Sequence, residues 1–239
     1  MNRTRKIIIS ILIVVMIGLV ALISGAIFLG QNSHLTSGER NILVCAIDES
    51  EIRAGMGACD MAFIVTLDNG TLKTYAPVYP SGLTHPNASE PTEYQKQGAG
   101  PHLLLHDSFY GADNSNGMRH SKEIVEYNTN VTIDNVVAIN CAGLDAILHA
   151  AGPLDIHGVQ TNASGMDIIR EETNNQGVSR GDAVMDIVRA LVKKASDPDI
   201  KSAMINAAVD QYSKGNIIMD QQGDFVGLLA SKGMEKLLG

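Results

Sequence analysis

Ile7 to Leu29 reads IIISILIVVMIGLVALISGAIFL, 23 residues without a charge. A run of that length spans the roughly 30 Å hydrocarbon core of a bilayer at about 1.5 Å per residue. It limits what the rest of the chain can be, because everything after it starts at a membrane surface. Arg3, Arg5 and Lys6 precede the run, and the next Lys or Arg is Arg40. The positive-inside rule therefore predicts a cytoplasmic stub (1–6), a single transmembrane helix (7–29), a polar linker (30–40) and an extracytoplasmic domain (41–239). The alternative is a cleaved signal peptide. Its apolar region usually runs about 7–15 residues, and Ser24-Gly25-Ala26 is a poor cleavage site. An uncleaved anchor in the cell membrane, N-terminus inside, is the expectation.

The exported part has the length of one domain and needs no disulfides to bury a core. The chain carries −8 overall, of which the first six residues contribute +3, leaving −11 for the remainder. An acidic domain without a basic patch argues against a nucleic-acid partner. Three cysteines, Cys45, Cys59 and Cys141, make no paired framework. Cys45 and Cys141 lie in or beside apolar runs and read as buried thiols. Asn69, Asn87, Asn130 and Asn162 begin Asn-x-Ser/Thr triplets, which in an Asn-rich chain only hint at glycosylation.

NILVCAID is a near-continuous apolar run of strand length. MAFIVTL and LKTYAPVY follow across Asp68-Asn69-Gly70, a hairpin signal. Pro80 to Gly100 has no period and reads as a long loop. Leu103–Leu105 and Ile124-Val125 suggest two helices, and NVVAIN (135–140) another buried strand. Leu144, Ile147, Leu148 and Ala151 fall at helical spacing, stopped by Gly152-Pro153. Leu154–His157 suits a short strand. Val184, Ile187, Val188, Leu191, Val192 and Ala195 form one apolar stripe, and Asp197-Pro198 separates it from a second at Ile200, Ala203, Met204 and Ala207. Asn216–Met219 is a last strand. Interleaved strands and helices, with several strands apolar throughout, predict a three-layer α/β/α domain around a central mixed sheet.

Candidate functional residues are few. Asp60 opens the second strand in GMGACDMAFIVTL, as a turn residue or a placed ligand. Ser179 suits an N-cap and Asp182 completes a capping box, which puts Arg180 at the first helical position. There its charge opposes the helix dipole, but beside free N–H groups and Gly181 it suits an anion. A surface salt bridge to Glu171 or Glu172 is the plainer reading. The Arg-Gly-Asp triplet cannot act as a flexible adhesion loop inside a helix start. Arg170 reads as the end of a helix capped by Ser164 and Asp167. His102 and His106 would share a helix face and, with Asp107 or His85, could ligate zinc, but three leucines between them favour histidines flanking a buried turn. His85 in the long loop is a candidate substrate contact. No phosphate-binding Gly-rich loop with Lys-Ser/Thr and no Gly-x-Ser-x-Gly elbow occurs, so nucleotide and serine-hydrolase chemistry have no support.

The order of NILVCAIDES, GMGACDMAFIVTLDNGTLKTYAPV, VVAINCAGLDAILHAAGPLDI and REETNNQGVSRGDAVMDIVRALVKKA after a membrane span resembles the LytR-CpsA-Psr family of envelope enzymes. It resembles still more a family of uncharacterised proteins found in methanogenic archaea among others. The resemblance implies an α/β sandwich that holds a polyprenyl-pyrophosphate-linked glycopolymer and transfers it to the cell wall with magnesium. It implies that Asp60 helps hold the metal and that Arg170 and Arg180 contact the pyrophosphate. The family's arginine two residues before that acid is Ala58 here, and its Arg-Asp pair after the third-strand proline is Val78-Tyr79. Phosphoryl and glycosyl transfer depends on cations around developing negative charge. Two expectations follow: binding of an envelope glycopolymer or polyprenyl phosphate at a degenerate site, or a divergent magnesium-dependent transferase. In the second, His85, Glu90 and Glu93 from the long loop would replace the missing groups.

Overall fold

The computed structural model describes residues 33–50, 54–221, 223, 224 and 227. The apolar run at 7–29 lies outside the described residues, and among those described no helix is long and apolar enough to cross a membrane. The chain divides into two compact units: one of Met1–Arg40, Asp68–Thr71 and Gln221–Gly239, the other of Asn41–Leu67 and Leu72–Asp220.

In the described part of the smaller unit, Ser33 caps a 3-10 turn over His34–Thr36 and its hydroxyl donates to the Asp224 carbonyl at 3.1 Å. The His34 N–H donates to Asp224 Oδ1 at 3.0 Å. Asn69, in left-handed conformation at the expected Asn-Gly turn, receives the Gly38 N–H on its side chain at 2.9 Å.

The larger unit is built on a five-stranded sheet, order β3-β2-β1-β6-β9. Its strands are β1 (Glu39–Asp48), β2 (Ala58–Asp68), β3 (Thr71–Val78), β6 (Asn135–Asn140) and β9 (Ile217–Met219). β1 runs parallel to β6, with Ile47 opposite Asn140, and β9 is antiparallel to β6, so the sheet is mixed. Two-faced burial explains the unbroken apolar runs. Leu43, Cys45 and Ile47 pack on one face with Met118, Ile124 and Val125 of α2 (Asn114–Thr129). Val44, Ala46, Met61 and Phe63 meet Met185 of α5 (Arg180–Lys194) on the other. Behind α5, α3 (Cys141–Ala151), α4 (Gly165–Gln176) and β7 (Leu154–Ile156) close a second core around Leu148, Ile168 and Ile187. Helices thus cover both faces of a central mixed sheet.

Three local expectations are corrected. Pro80–Gly100 is not a featureless loop: it holds β4 (Thr84–Ser89) and a short helix α1 (Thr92–Gln95). His102–Leu104 is a strand, β5, antiparallel to β4, and not a helix. The signal was weak because β4 buries only His85, and Pro86 is tolerated in a two-stranded sheet where half the ladder is open. Arg170 sits in mid-helix, since the polar residues after it stay helical until Gly177 stops α4 in left-handed conformation. The α5 cap and α6 (Pro198–Ser213), with Asp197 as N-cap and Pro198 in its first turn, follow the sequence reading.

Candidate functional site

The parallel strands β1 and β6 end side by side at Asp48 and Asn140. β2 and β6 flank β1 on opposite sides, and the crevice beyond such strand ends is where open α/β sheets bind ligands. A narrow cleft lies there, with a cavity volume of about 60 Å³. Asp48, Asp60 and Arg180 line its polar side, and Met61, Ile139, Leu144, Met166, Ile169 and Val184 contribute to the apolar remainder.

The lead-in to Asp60 has a steric cause. Gly57 takes φ +133, and a Cβ there would collide with the Asp48 carbonyl and Ile47. Only glycine lets the start of β2 press against the end of β1 in this way. The alternation of β2 then slips at Asp60. Cys59, Ala62 and Ile64 face the α2 side, whereas Met61, Phe63 and Val65 face α5. One residue is out of step, the kind of irregularity that re-aims a side chain beside a site. Below it, a hydrogen bond with Cys45 and burial push the Cys59 thiol well above the ordinary range, so it stays protonated.

Asp60 is the centre of the cluster. Its Oδ2 accepts from Arg180 Nη1 at 3.2 Å, and its Oδ1 lies 3.2 Å from His106 Nε2. The other His106 nitrogen, Nδ1, is 3.4 Å from Oδ1 of buried Asp107. Asp60 is 22% exposed and Arg180 64%, so the guanidinium reaches in from solvent. Arg180 occupies the first helical position, as the Ser179–Asp182 capping box requires: Ser179 Oγ accepts the Asp182 N–H at 3.1 Å and donates to Asp182 Oδ2 at 2.7 Å. Its bridge goes to Asp60 rather than to Glu171 or Glu172.

Tyr79 stands over this helix start. Its hydroxyl donates to Asp182 Oδ1 at 3.0 Å, and its ring occupies the space that a side chain at Gly181 would need. The same bond raises the Tyr79 pKa. The Ser179 and Tyr79 hydroxyls together hold the Asp182 carboxyl low. The Gly of the Arg-Gly-Asp triplet is therefore a packing requirement.

The structure brings Asp60 and Arg180 together and sets the other named residues elsewhere. Arg170 faces solvent on α4, 3.7 Å from Asp167. His85 is buried: the Asn87 and Ala88 N–H groups donate to its Nδ1, leaving Nε2–H for Glu123 Oε2 at 2.6 Å. Glu90 lies buried and receives the Leu104 N–H at 2.8 Å. Glu93 hydrogen-bonds Tyr110. His102 lies exposed at the start of β5, so the two histidines do not share a helix face. One cleft residue, Asp48, escaped the sequence reading, and His106, read there as a zinc ligand candidate with His102, stands beside Asp60 instead. Asp48 ends a buried strand on the carboxyl side, a visible signal; the pairing of His106 with Asp60 spans 46 residues and had none.

The sequence profile of the DUF4012 family, described as a protein of unknown function, matches residues 37–173. No curated protein matches the chain by sequence. Solved structures match it in fold. B. subtilis TagV superposes with a TM-score of 0.53 at 17% identity, over 82% of this chain and 80% of that one. Protein gbs0355 from Streptococcus agalactiae gives 0.56 at 15% identity, over 82% and 73%. TagT bound to LIIa-WTA gives 0.50 at 12% identity, over 81% and 76%. TagV and TagT are LytR-CpsA-Psr proteins, so the fold implied by the sequence resemblance is the fold observed.

Proposed function

The chain belongs to the DUF4012 family, and from that premise and the cleft geometry we propose that it binds a polyprenyl-phosphate-linked envelope glycan outside the membrane. One observation carries the reading: Asp60, Arg180 and His106 cluster on a cleft whose other walls are apolar. A phosphate at this place would meet the Arg180 guanidinium, a charged donor that suits an anion. The apolar walls suit the first units of a lipid chain, with Met61 and Met166 able to adapt their shape. The likeness to TagT, which has been captured with LIIa-WTA, supports a glycopolymer of the envelope as the ligand class. The run at 7–29 supplies the anchor that would hold the cleft near lipid-linked material.

A magnesium ion fits the residues present. Asp48 and Asp60 put two carboxylates on one cleft, and magnesium commonly uses one or two carboxylates with phosphates and water for the rest. When bound it would neutralise pyrophosphate charge, and Arg180, now spent on Asp60, would be released to the ligand. Arg170, exposed and paired within its own helix, remains a candidate contact for a longer head group. His85, bonded through both ring nitrogens, would contribute only by supporting β4.

Binding is favoured over turnover because the arginine positions of the resemblance are filled otherwise. Ala58 and Val78, at the two arginine positions, are buried apolar side chains, and Tyr79, at the aspartate position, covers Gly181. The second reading, a divergent glycopolymer transferase, draws on one feature: buried Asp107 orients His106 through Nδ1, so its Nε2 would be open to act as a general base once Asp60 turned to a metal ion. The test is binding of polyprenyl phosphate and pyrophosphate to the full-length chain, with and without magnesium. Wild type should bind, Arg180→Ala should weaken binding at least about tenfold, and Asp60→Ala should do so when magnesium is present, in keeping with charged hydrogen bonds worth roughly 1.5–3 kcal/mol. Equal binding by all three, or none by wild type, would refute the proposal. Release of pyrophosphate from a lipid-linked glycan, lost in His106→Ala, would establish the transferase reading.

A further inference from the structure

We infer that His157, Glu172 and Asp186 form a binding site for a divalent transition-metal cation of the zinc class. The three come from separate elements: the turn between β7 and β8 (Val159–Thr161), helix α4, and helix α5. One ligand atom from each lies within 4.8 Å of the others. His157 Nε2 is 3.3 Å from Glu172 Oε1 and 3.1 Å from Asp186 Oδ2. Ligands about 2.0–2.1 Å from a tetrahedral zinc ion stand about 3.3 Å apart, so these spacings already match the edges of such a site.

Glu172 supplies the independent indication. Its side chain is 2% exposed, and apart from the facing Asp186 carboxyl no group donates a hydrogen bond to its oxygens. Buried carboxylates are normally hydrogen-bonded, because an ionised group away from water is costly without compensation. Its ion-pair partner among the described residues is the imidazole of His157, which Asp186 shares. A divalent cation would compensate both acids at once. Asp186 is set for this role: Arg189 Nη1 holds its Oδ1 at 2.6 Å, leaving Oδ2 toward His157. That is the outer support that orients a ligating carboxylate.

The turn adds a further sign. His157 and Gly158 both take positive φ, 51 and 84, in a two-residue hairpin that by backbone preference would carry Asn-Gly. Histidine here gives up that preference and gains an imidazole aimed at two acids. One nitrogen with two carboxylates favours zinc-class ions over magnesium or calcium, which take oxygen ligands. The half-exposed imidazole leaves a fourth position open to water. The ion would tie the hairpin to α4 and α5, the helices that carry Met166, Ile169 and Arg180 of the cleft, and the inference stands whether or not the cleft binds a glycan.

The test uses the full-length chain in detergent, stripped with chelator and dialysed against Zn²⁺, with bound metal measured. Wild type should hold one equivalent and show a higher thermal midpoint with zinc. Co²⁺ should give the visible absorption of a tetrahedral site. His157→Asn keeps the turn in its preferred residue and so should fold, yet lose zinc affinity by more than the roughly 10–100-fold that removing an outer partner costs. Glu172→Gln, nearly isosteric, should do the same. Absence of stoichiometric zinc in wild type would overturn the inference and leave His157 as a hydrogen-bonding partner of two acids. Equal binding in both variants would overturn it too, assigning the zinc to other surface histidines.

Discussion

At the scale of single residues, the chemistry rests on a few side chains whose neighbours are fixed by small sequence choices. The Ser179–Asp182 box was readable from spacing alone, because a helix cap is local, and it put Arg180 where the structure has it. That Arg180 bonds Asp60, 120 residues away, was not readable from spacing, and only the family resemblance set the two at one site. His106 shows the same limit more sharply. Read as helical, it pairs with His102; in a 3-10 turn after a strand, it turns to Asp60 instead. Gly181 yields a prediction at this scale. On propensity alone, Gly181→Ala should stabilise the helix by up to about 1 kcal/mol. The Tyr79 ring fills that space, so the variant should instead lose roughly 1–3 kcal/mol, the usual cost of overpacking. Tyr79→Ala should remove the penalty in the double variant. Urea unfolding of the four proteins measures it, and a stabilised single variant would show that the ring moves aside at no cost.

At the scale of elements, the long strands and helices were legible because burial on one or two faces imposes a period. The 80–104 segment was not, because β4 and β5 are short, polar and held by side chains rather than by a buried face. His85 joins β4 to α2 through Glu123, and this bond carries a pH dependence. Burial alone would raise the Glu123 pKa, but hydrogen bonds from His85 and Arg119 outweigh it and hold the carboxyl below its ordinary value. A lowered carboxyl contributes stability that is present above the ordinary carboxylate range and is lost as pH falls through that range toward the folded value. Wild type should therefore lose more stability than Glu123→Gln between about pH 5 and 3, by a modest margin because Glu123 is partly exposed. Denaturant midpoints across that interval decide the matter; parallel curves would mean that the bond adds nothing.

At the scale of the whole molecule, the reading of Ile7–Leu29 as an anchor makes a direct prediction. The full chain should stay in the membrane fraction after alkaline extraction, and protease added from outside should digest the domain while sparing the stub. Release at high pH, or protection of the domain, would reject the anchor or its orientation. The sequence by itself determined the class of fold. Apolar runs bounded by Gly, Pro and Asn reflect burial and local backbone preference, and these act over a few residues. They also determined where α5 begins and where the first hairpin turns. Tertiary structure alone decided which charged groups meet: Asp60 with Arg180 and His106, and His157 with Glu172 and Asp186. Such pairs are chosen by how the sheet order and helix packing bring strand ends and turns together, and electrostatic contact depends on that distance in space rather than on any spacing along the chain.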